Sequence, residues 1–190
     1  MAAFAKQLYA AGVELLQFRN KEGSDRQILQ GVAILRGIFA NTRTSLILND
    51  RADLLKQSGF DGIHVGQLDL SPAAARSIVS ENAILGVSTH TLDQIAAADA
   101  TDCDYIAYGP VFATNTKANP DPVVGLHGLR AARLATNKPV VAIGGITRQN
   151  CRSVLDAGAD SVAVISDLFP LDTAITAQQI AEEFLALLTA

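Results

Sequence analysis

The sequence has no basic stretch and no long apolar run. Its 190 residues carry 15 Lys and Arg against 19 Asp and Glu, a net charge of −4. A chain without a basic patch lacks the groups that neutralise nucleic-acid phosphates, which argues against a nucleic-acid-binding protein. No apolar run approaches the roughly 18 residues of a membrane span. Met1–Gly12 also lacks the cationic flank and cleavage pattern of a signal peptide.

Cysteine is scarce, and several catalytic motifs are missing. Cys103 and Cys151 have no metal-ligand spacing, so we expect reduced core residues of a cytoplasmic protein. No dinucleotide fingerprint of the G-x-G-x-x-G kind occurs, and neither cysteine neighbours a histidine in the motifs described below. Chemistry by positioning and electrostatics therefore fits better than covalent catalysis.

What is present indicates one α/β domain covering residues 1–190. Hydrophobic residues make up 49% and charged residues 18%, enough for a large core. Short β-branched runs predict seven strands: Val13–Phe18, Ser45–Leu48, Gly62–Val65, Ala83–Gly86, Tyr105–Tyr108, Val140–Ile143 and Ser161–Ile165. Amphipathic stretches predict eight helices: Ala3–Ala11, Ser24–Ala40, Arg51–Ser58, Ser71–Glu81, Leu92–Ala98, Gly128–Thr136, Arg148–Ala157 and Thr176–Leu188. Capping residues are expected at their starts: Ser24, Asp50, Ser71 and Thr147.

Strict strand–helix alternation predicts a parallel sheet covered by helices. The repeat length fits a (β/α)8 TIM barrel, and the alternative is an open doubly wound sheet. Polar residues follow nearly every strand, as one barrel rim would require. Only seven strands are predicted and the chain opens on a helix. The first barrel strand is therefore expected to be missing, which leaves two unpaired edges unless another segment closes the gap.

The first two strands end in groups that suit a phosphate and a metal ion. Alternation puts Gln17, Arg19 and Lys21 on one side, where the two cations favour phosphate over a plain solvated strand end. Asp50 and Asp69 follow neighbouring strands, and paired carboxylates suit Mg²⁺. The alternative is that Asp50 caps the next helix and Asp69 begins a turn.

Two single residues and one irregular stretch supply further candidate binding residues. His64 is either a satisfied core histidine or a substrate contact, and its nitrogen makes it a poor Mg²⁺ ligand. Ser88 donates to a phosphate or a ring nitrogen, or else caps a helix. The irregular stretch Gly109–Gly125 holds Thr114, Thr116 and Lys117, and we expect it to act as a lid that closes over phosphates.

The last two strands end in Gly144-Gly145 and Ile165-Ser166. Bare glycines expose backbone N–H groups, and barrels often bind phosphate after strands seven and eight. If the first barrel strand is missing, the last two predicted strands correspond to barrel strands seven and eight. The rim is then expected to hold two phosphate sites.

Seven motifs in order resemble thiamine-phosphate synthase: Q-F-R-N-K, N-D-R, G-I-H-V-G-Q-x-D, G-V-S-T-H, D-Y-I-A-Y-G-P-V-F-A-T-N-T-K, V-A-I-G-G-I and V-A-V-I-S. The resemblance covers the chain from about Gly12 to Ser166 and implies a transferase with a TIM barrel. It implies that Gln17, Arg19, Lys21 and Asn49 bind a pyrimidine diphosphate, while Asp50 and Asp69 hold Mg²⁺. Ser88 and Lys117 would contact the pyrophosphate; Thr114, Thr116, Gly145, Ile165 and Ser166 would contact a thiazole phosphate.

The resemblance also implies a dissociative reaction that needs no general base, with Arg19, Lys21, Ser88 and Lys117 as catalytic residues. Two other functions are considered. A thiazole tautomerase would not need the cationic and carboxylate cluster. A non-catalytic paralogue that binds thiamine phosphates would be consistent with the missing strand.

Overall fold

The computed structural model of the chain describes residues 1–114, 121–169 and 174–189. Strands and helices alternate along it. The strands are β1 (Leu15–Phe18), β2 (Ser45–Asn49), β3 (Gly62–Val65), β4 (Ile84–Thr89), β5 (Tyr105–Tyr108), β6 (Val140–Ile143) and β7 (Ser161–Ala163). The helices are α1 (Ala2–Ala11), α2 (Asp25–Phe39), α3 (Ala52–Ser58), α4 (Pro72–Ile78), α5 (Leu92–Asp99), α6 (Gly125–Leu134), α7 (Arg148–Asp156) and α8 (Ala177–Thr189).

The strands form one parallel sheet in chain order, from β1 to β7. Among the described residues, β1 and β7 each pair on one side only, which confirms the two predicted unpaired edges. The helix layer nevertheless continues past the gap, because α1 packs against both α2 and α8. Over the described ranges, the architecture is that of an α/β barrel with no strand between β7 and β1, as the sequence predicted.

The predicted strand boundaries depart most from the observed ones in β4 and in the two edge strands, β1 and β7. β4 extends to Thr89, three residues beyond its predicted end, because β3 and β5 pair with it on both sides. β1 begins two residues late and β7 ends two residues early. Both are edge strands, so half of their backbone groups find no strand partner within the described residues.

Three of the four predicted N-cap residues, Ser24, Ser71 and Thr147, are confirmed at the starts of their helices. The Ser24 hydroxyl accepts from the backbone N–H of Gln27, and the Ser71 hydroxyl accepts from that of Ala74. The prediction for Asp50 is wrong, since α3 has Arg51 as its N-cap and no side-chain cap. The Asp50 carboxylate is therefore left for another role.

The core lies between the sheet and the helices, and the barrel interior is more polar. Alternate strand residues such as Leu48, Ile63 and Ile106 point outward and are buried against the helices. The intervening residues point inward and include His64, Ser88 and Tyr105. In the described part of the chain, no helix is both long and apolar enough to cross a membrane.

Candidate functional site

One pocket at the carboxyl ends of β1 and β2 brings together most of the residues predicted for the first phosphate site. Arg19 and Lys21 follow β1, and Asn49 and Asp50 end β2. All four line this pocket, which is completed by Asn20, Ile28 and Arg51. Parallel strands meet at one rim, so residues distant in sequence become neighbours. The sequence-based grouping of these four residues is therefore observed in the structure.

The backbone of Asp50 has a strained conformation that directs its side chain towards Asp69. Its φ angle is 66°, in the left-handed region that residues other than glycine rarely adopt. The backbone N–H of Asp50 donates to the His64 carbonyl oxygen at 2.8 Å, which holds this conformation against β3. The turn places the Asp50 carboxyl within hydrogen-bond reach of the Asp69 carboxyl.

Asp69 is oriented by its own loop. Its Oδ2 accepts from the backbone N–H of Gly66 at 2.8 Å, which fixes the turn after β3. The predicted alternative, in which Asp69 serves a turn, is therefore observed together with its approach to Asp50. Asp69 Oδ2 therefore holds the loop, and the Asp69 carboxyl also lies within hydrogen-bond reach of Asp50.

The electrostatics of the pocket favour a bound cation. Burial and the neighbouring Asp69 together raise the pKa of Asp50 to about 6, against the opposing effect of Arg19 and Lys21. Two carboxyl groups that share one proton become two oxygen ligands when a divalent cation replaces that proton. No group of three or more His, Cys, Asp or Glu side chains is placed to hold a metal in the described ranges. A two-carboxylate site fits Mg²⁺, which retains several water or phosphate ligands.

The cations around the carboxyl pair have different roles. Arg51 is engaged by Asp25 at 2.7 Å and by Asp53 at 2.6 Å, which ties α2 to α3. Neither Arg19 nor Lys21 forms an ion pair with any residue that the structure describes. These two cations are therefore available to an anionic ligand beside Asp50.

A hydrogen-bonded row of side chains crosses the barrel interior beneath this pocket. His64 Nδ1 lies 2.9 Å from the Tyr105 hydroxyl, and His64 Nε2 lies 2.7 Å from the Ser88 hydroxyl. The side chain of Gln17 reaches the Tyr105 hydroxyl from β1. His64 is only 5% exposed, and burial lowers its pKa to about 4, so the imidazole is neutral near pH 7. The prediction that His64 is a buried histidine with both ring nitrogens hydrogen-bonded is confirmed, and substrate contact stays a prediction.

Tyr105 is the functional candidate that the sequence interpretation missed. It was assigned only as the start of β5. The one available indication was the alternation of β5, which puts Tyr105 on the same face as Ala107 and therefore inside the barrel. A buried hydroxyl at that position must find a partner. The identity of that partner depends on the lateral order of β3, β4 and β5.

The second predicted phosphate site lies after β6 and β7. A Cβ on Gly145, whose φ angle is 65°, would lie 2.5 Å from the carbonyl oxygen of Ala113, so only glycine fits there. Arg148 pairs with Asp167 at 3.1 Å and thereby connects the start of α7 to the 3-10 turn Ser166–Leu168. Gly144, Gly145, Ile165 and Ser166 thus belong to adjacent loops at one rim. Whether they bind phosphate stays a prediction.

The predicted lid is only partly described. Val111 and Phe112 donate backbone hydrogen bonds to the carbonyls of Ile143 and Gly144, and Thr114 ends that described range. His90 contacts the Gly109 carbonyl and pairs with Asp121 at 3.3 Å, so both described ends lie beside β4. Thr116 and Lys117 lie outside the described residues.

Comparisons with known proteins agree with this geometry. The family model for thiamine monophosphate synthase matches residues 1–168. Thiamine-phosphate synthase from Koribacter versatilis (strain Ellin345) is 56% identical over 185 residues, covering 97% of this chain and 85% of that protein. Thiamine-phosphate synthase from Chloroflexus aurantiacus is 41% identical over 161 residues, covering 85% of this chain and 74% of the relative.

A solved structure supports the fold independently. The thiamine phosphate pyrophosphorylase from Pyrococcus furiosus superposes with a TM-score of 0.88 at 29% identity, covering 99% of this chain and 89% of that chain. These matches give no support to the tautomerase or to the non-catalytic paralogue. By family model and by relatives, the chain belongs to the thiamine monophosphate synthase family.

Proposed function

We propose that the chain joins 4-amino-2-methyl-5-pyrimidinylmethyl diphosphate to a thiazole phosphate, forming thiamine phosphate and pyrophosphate. The observation that carries the proposal is the Asp50 carboxyl, which lies within hydrogen-bond reach of Asp69 and lines a pocket with Arg19 and Lys21. This combination suits a diphosphate leaving group, which needs cationic groups on several oxygens. The family membership supplies the substrate classes.

Residues at different strand ends are proposed to have different roles. Arg19 and Lys21 bind the diphosphate, and their positive charge stabilises the leaving group as the carbon–oxygen bond breaks. Asp50 and Asp69 would hold Mg²⁺, which when bound neutralises further charge on pyrophosphate. Gln17 and Asn49 hold the pyrimidine diphosphate from the β1 and β2 ends, and Ser88 donates to the pyrophosphate. Lys117 is proposed to add a charge there.

The bond-forming step needs orientation more than proton transfer. After the diphosphate leaves, the pyrimidine methylene is a carbocation that its own ring amino group stabilises, and the thiazole nitrogen attacks it. Gly145, Ile165 and Ser166, with Thr114 and Thr116, are proposed to hold the thiazole phosphate so that this nitrogen faces the cation. A general base is not required for this bond.

The direct test is product formation by the purified protein. Both substrates and Mg²⁺ should give thiamine phosphate and pyrophosphate in equal amounts, and a chelator should suppress both. Thiamine phosphate can be separated by chromatography, and pyrophosphate measured by a coupled phosphate assay. Absence of thiamine phosphate under these conditions, with a folded protein, would contradict the proposal.

We expect Mg²⁺ to raise the melting temperature of the protein more at about pH 8 than at about pH 5. The pKa of Asp50 is raised to about 6 from 3.8. Its protonated form therefore stabilises the folded state below about pH 4, and this contribution is lost as the pH rises through about 6. Mg²⁺ compensates for the loss only when both carboxylates are ionised. Thermal melts with and without Mg²⁺ at both pH values measure the difference.

Asp50→Asn provides the control for that experiment. Asparagine tolerates the positive φ angle and cannot ionise, so the variant should lose the pH-dependent part of the Mg²⁺ response. It should also be at least as stable as the parent without Mg²⁺ at about pH 8, because two facing carboxylates are reduced to one. A Mg²⁺ response that is equal at both pH values in the parent would contradict the metal assignment.

We further propose a cytoplasmic location. Cys103 and Cys151 are both free and buried, in keeping with the expected reduced state. Fractionation of cells, with a blot for the protein in the cytoplasmic and extracytoplasmic fractions, tests this proposal.

A further inference from the structure

Three adjacent strands each place one polar side chain on the inner face of the barrel. They are His64 on β3, Ser88 on β4 and Tyr105 on β5. His64 lies between the other two, with its Nδ1 2.9 Å from the Tyr105 hydroxyl and its Nε2 2.7 Å from the Ser88 hydroxyl. Tyr105 is buried, while Ser88 is only half-buried. The row therefore runs from the interior towards the more accessible hydroxyl of Ser88.

Gly86 makes the contact between His64 and Tyr105 sterically feasible. It is the β4 residue that pairs with His64 on one side and with Tyr105 on the other. A Cβ on Gly86 would lie 2.1 Å from Tyr105 Cζ, 2.4 Å from its hydroxyl oxygen and 2.5 Å from His64 Nδ1. The two side chains therefore meet across β4 in the space that a side chain on Gly86 would occupy.

The direction of the hydrogen bonds follows from what each group can still donate. A neutral imidazole has one N–H donor and one nitrogen acceptor. Burial raises the pKa of Tyr105, whereas the hydrogen bond from the Gln17 side chain lowers it, as expected when Gln17 donates to the Tyr105 oxygen. With that oxygen accepting from Gln17, the Tyr105 O–H is left to donate to the imidazole nitrogen, and the serine oxygen accepts the imidazole N–H. Tyr105 then donates to Nδ1, and Nε2–H donates to the oxygen of Ser88.

We propose that Tyr105 and His64 are positioning residues that keep the Ser88 hydroxyl proton pointing away from the histidine and free to donate to the pyrophosphate. With its oxygen occupied by Nε2–H, the serine hydroxyl cannot donate back into His64. The inference rests on the proposed function for the role of Ser88 towards pyrophosphate. The histidine tautomer itself does not depend on that function and is measured separately.

The tautomer is accessible by nitrogen-15 NMR of the histidine rings. The chain has only three histidines, His64, His90 and His127, and His64→Gln assigns the signal of interest. The proposal predicts that His64 in the parent protein is a single tautomer protonated at Nε2. In Tyr105→Phe, Nδ1 loses its donor and we expect a mixture of tautomers. A parent protein with His64 protonated at Nδ1 would overturn the proposal whether or not the protein is an active synthase.

Kinetics then test whether the row acts through Ser88. Tyr105→Phe should lower kcat about 3- to 30-fold while leaving KM for the thiazole phosphate unchanged, as expected for a misdirected hydroxyl donor. In a Ser88→Ala background, the same tyrosine change should alter kcat by less than about 2-fold, because no hydroxyl is left to orient. Equal effects of Tyr105→Phe in both backgrounds would overturn the proposal.

Tyr108→Phe is the matched control. Tyr108 lies on the same strand but on the outer face, packed into the core against the helix layer. The control also removes one phenol hydroxyl from β5, and it should leave both the His64 tautomer and kcat unchanged. If Tyr108→Phe changes them as much as Tyr105→Phe does, the effect belongs to the packing of β5 and the proposal is wrong.

Discussion

Asp50→Asn and Asp69→Asn should each lower turnover by about 100-fold or more, as expected for the loss of a strong electrostatic contact to a developing charge. Each carboxyl lies within hydrogen-bond reach of the other, and Asp50 lines a pocket with Arg19 and Lys21. Removing either one leaves Mg²⁺ with a single carboxylate, so the departing pyrophosphate loses charge compensation. Steady-state assays over a range of Mg²⁺ concentrations measure kcat and the apparent affinity for the metal.

The asparagine replacements separate charge from backbone strain. Alanine at position 50 would have to adopt the φ angle of 66° without a short polar side chain to support it, which costs about 1–2 kcal/mol. The Asp69→Asn side chain would keep an oxygen that accepts from Gly66, so the turn after β3 is preserved. Asp156→Asn, which changes an exposed carboxylate on α7, is the matched control and should retain parental turnover. Normal activity and normal Mg²⁺ dependence of both site variants would show that the metal assignment is wrong.

A strand-forming segment of about 5–6 residues fused ahead of Met1 should raise both stability and kcat/KM. The rings of Phe4 on α1 and Phe169 after β7 stack with centroids 4.6 Å apart, so α1 begins near the rim where β7 ends. A strand leading into α1 would therefore run between β7 and β1 and pair with both edges. It would cover Leu15, which is now 43% exposed, together with the half-buried Val13 and Val162.

The expected gain is a few kcal/mol. Each apolar side chain that becomes buried contributes about 1.5–3 kcal/mol, and ordering the new residues offsets part of this. For a domain of this size, we expect the melting temperature to rise by about 5–10 °C. A glycine- and serine-rich extension of equal length is the control and should change neither property. Equal melting temperatures and equal kcat/KM for the two extended proteins would show that the gap does not limit the barrel.

The alternation of strands and helices could be predicted because it depends on local patterns. Apolar runs such as Gly62–Val65 and Tyr105–Tyr108 match the observed strands residue for residue. Element ends were less predictable where pairing decides them, as in β4, which two neighbours extend to Thr89. The order of parallel strands then follows from short connections, so residues at strand ends were predicted to share a rim.

The candidate site was predictable as a set of residues but not as a geometry. Arg19, Lys21 and Asp50 were identified because they follow apolar strands and suit a phosphate or a metal ion, and Asn49 was added by the family resemblance. The raised pKa of Asp50 and its approach to Asp69 depend on burial and on a strained backbone angle, which no residue pattern specifies. Because the sequence does not specify that backbone angle, it also predicted Asp50 as a helix cap, which the structure shows to be wrong.

The sequence by itself determined the class of fold, the family and the chemical character of the rim, because strand alternation, capping residues and ordered motifs are local properties of the chain. The tertiary structure alone decided which groups touch. The row of Tyr105, His64 and Ser88 exists because three strands lie side by side in register and Gly86 leaves room between two of them. Contacts of this kind join residues up to 41 positions apart, and their energies depend on distance and burial, which only the folded chain defines.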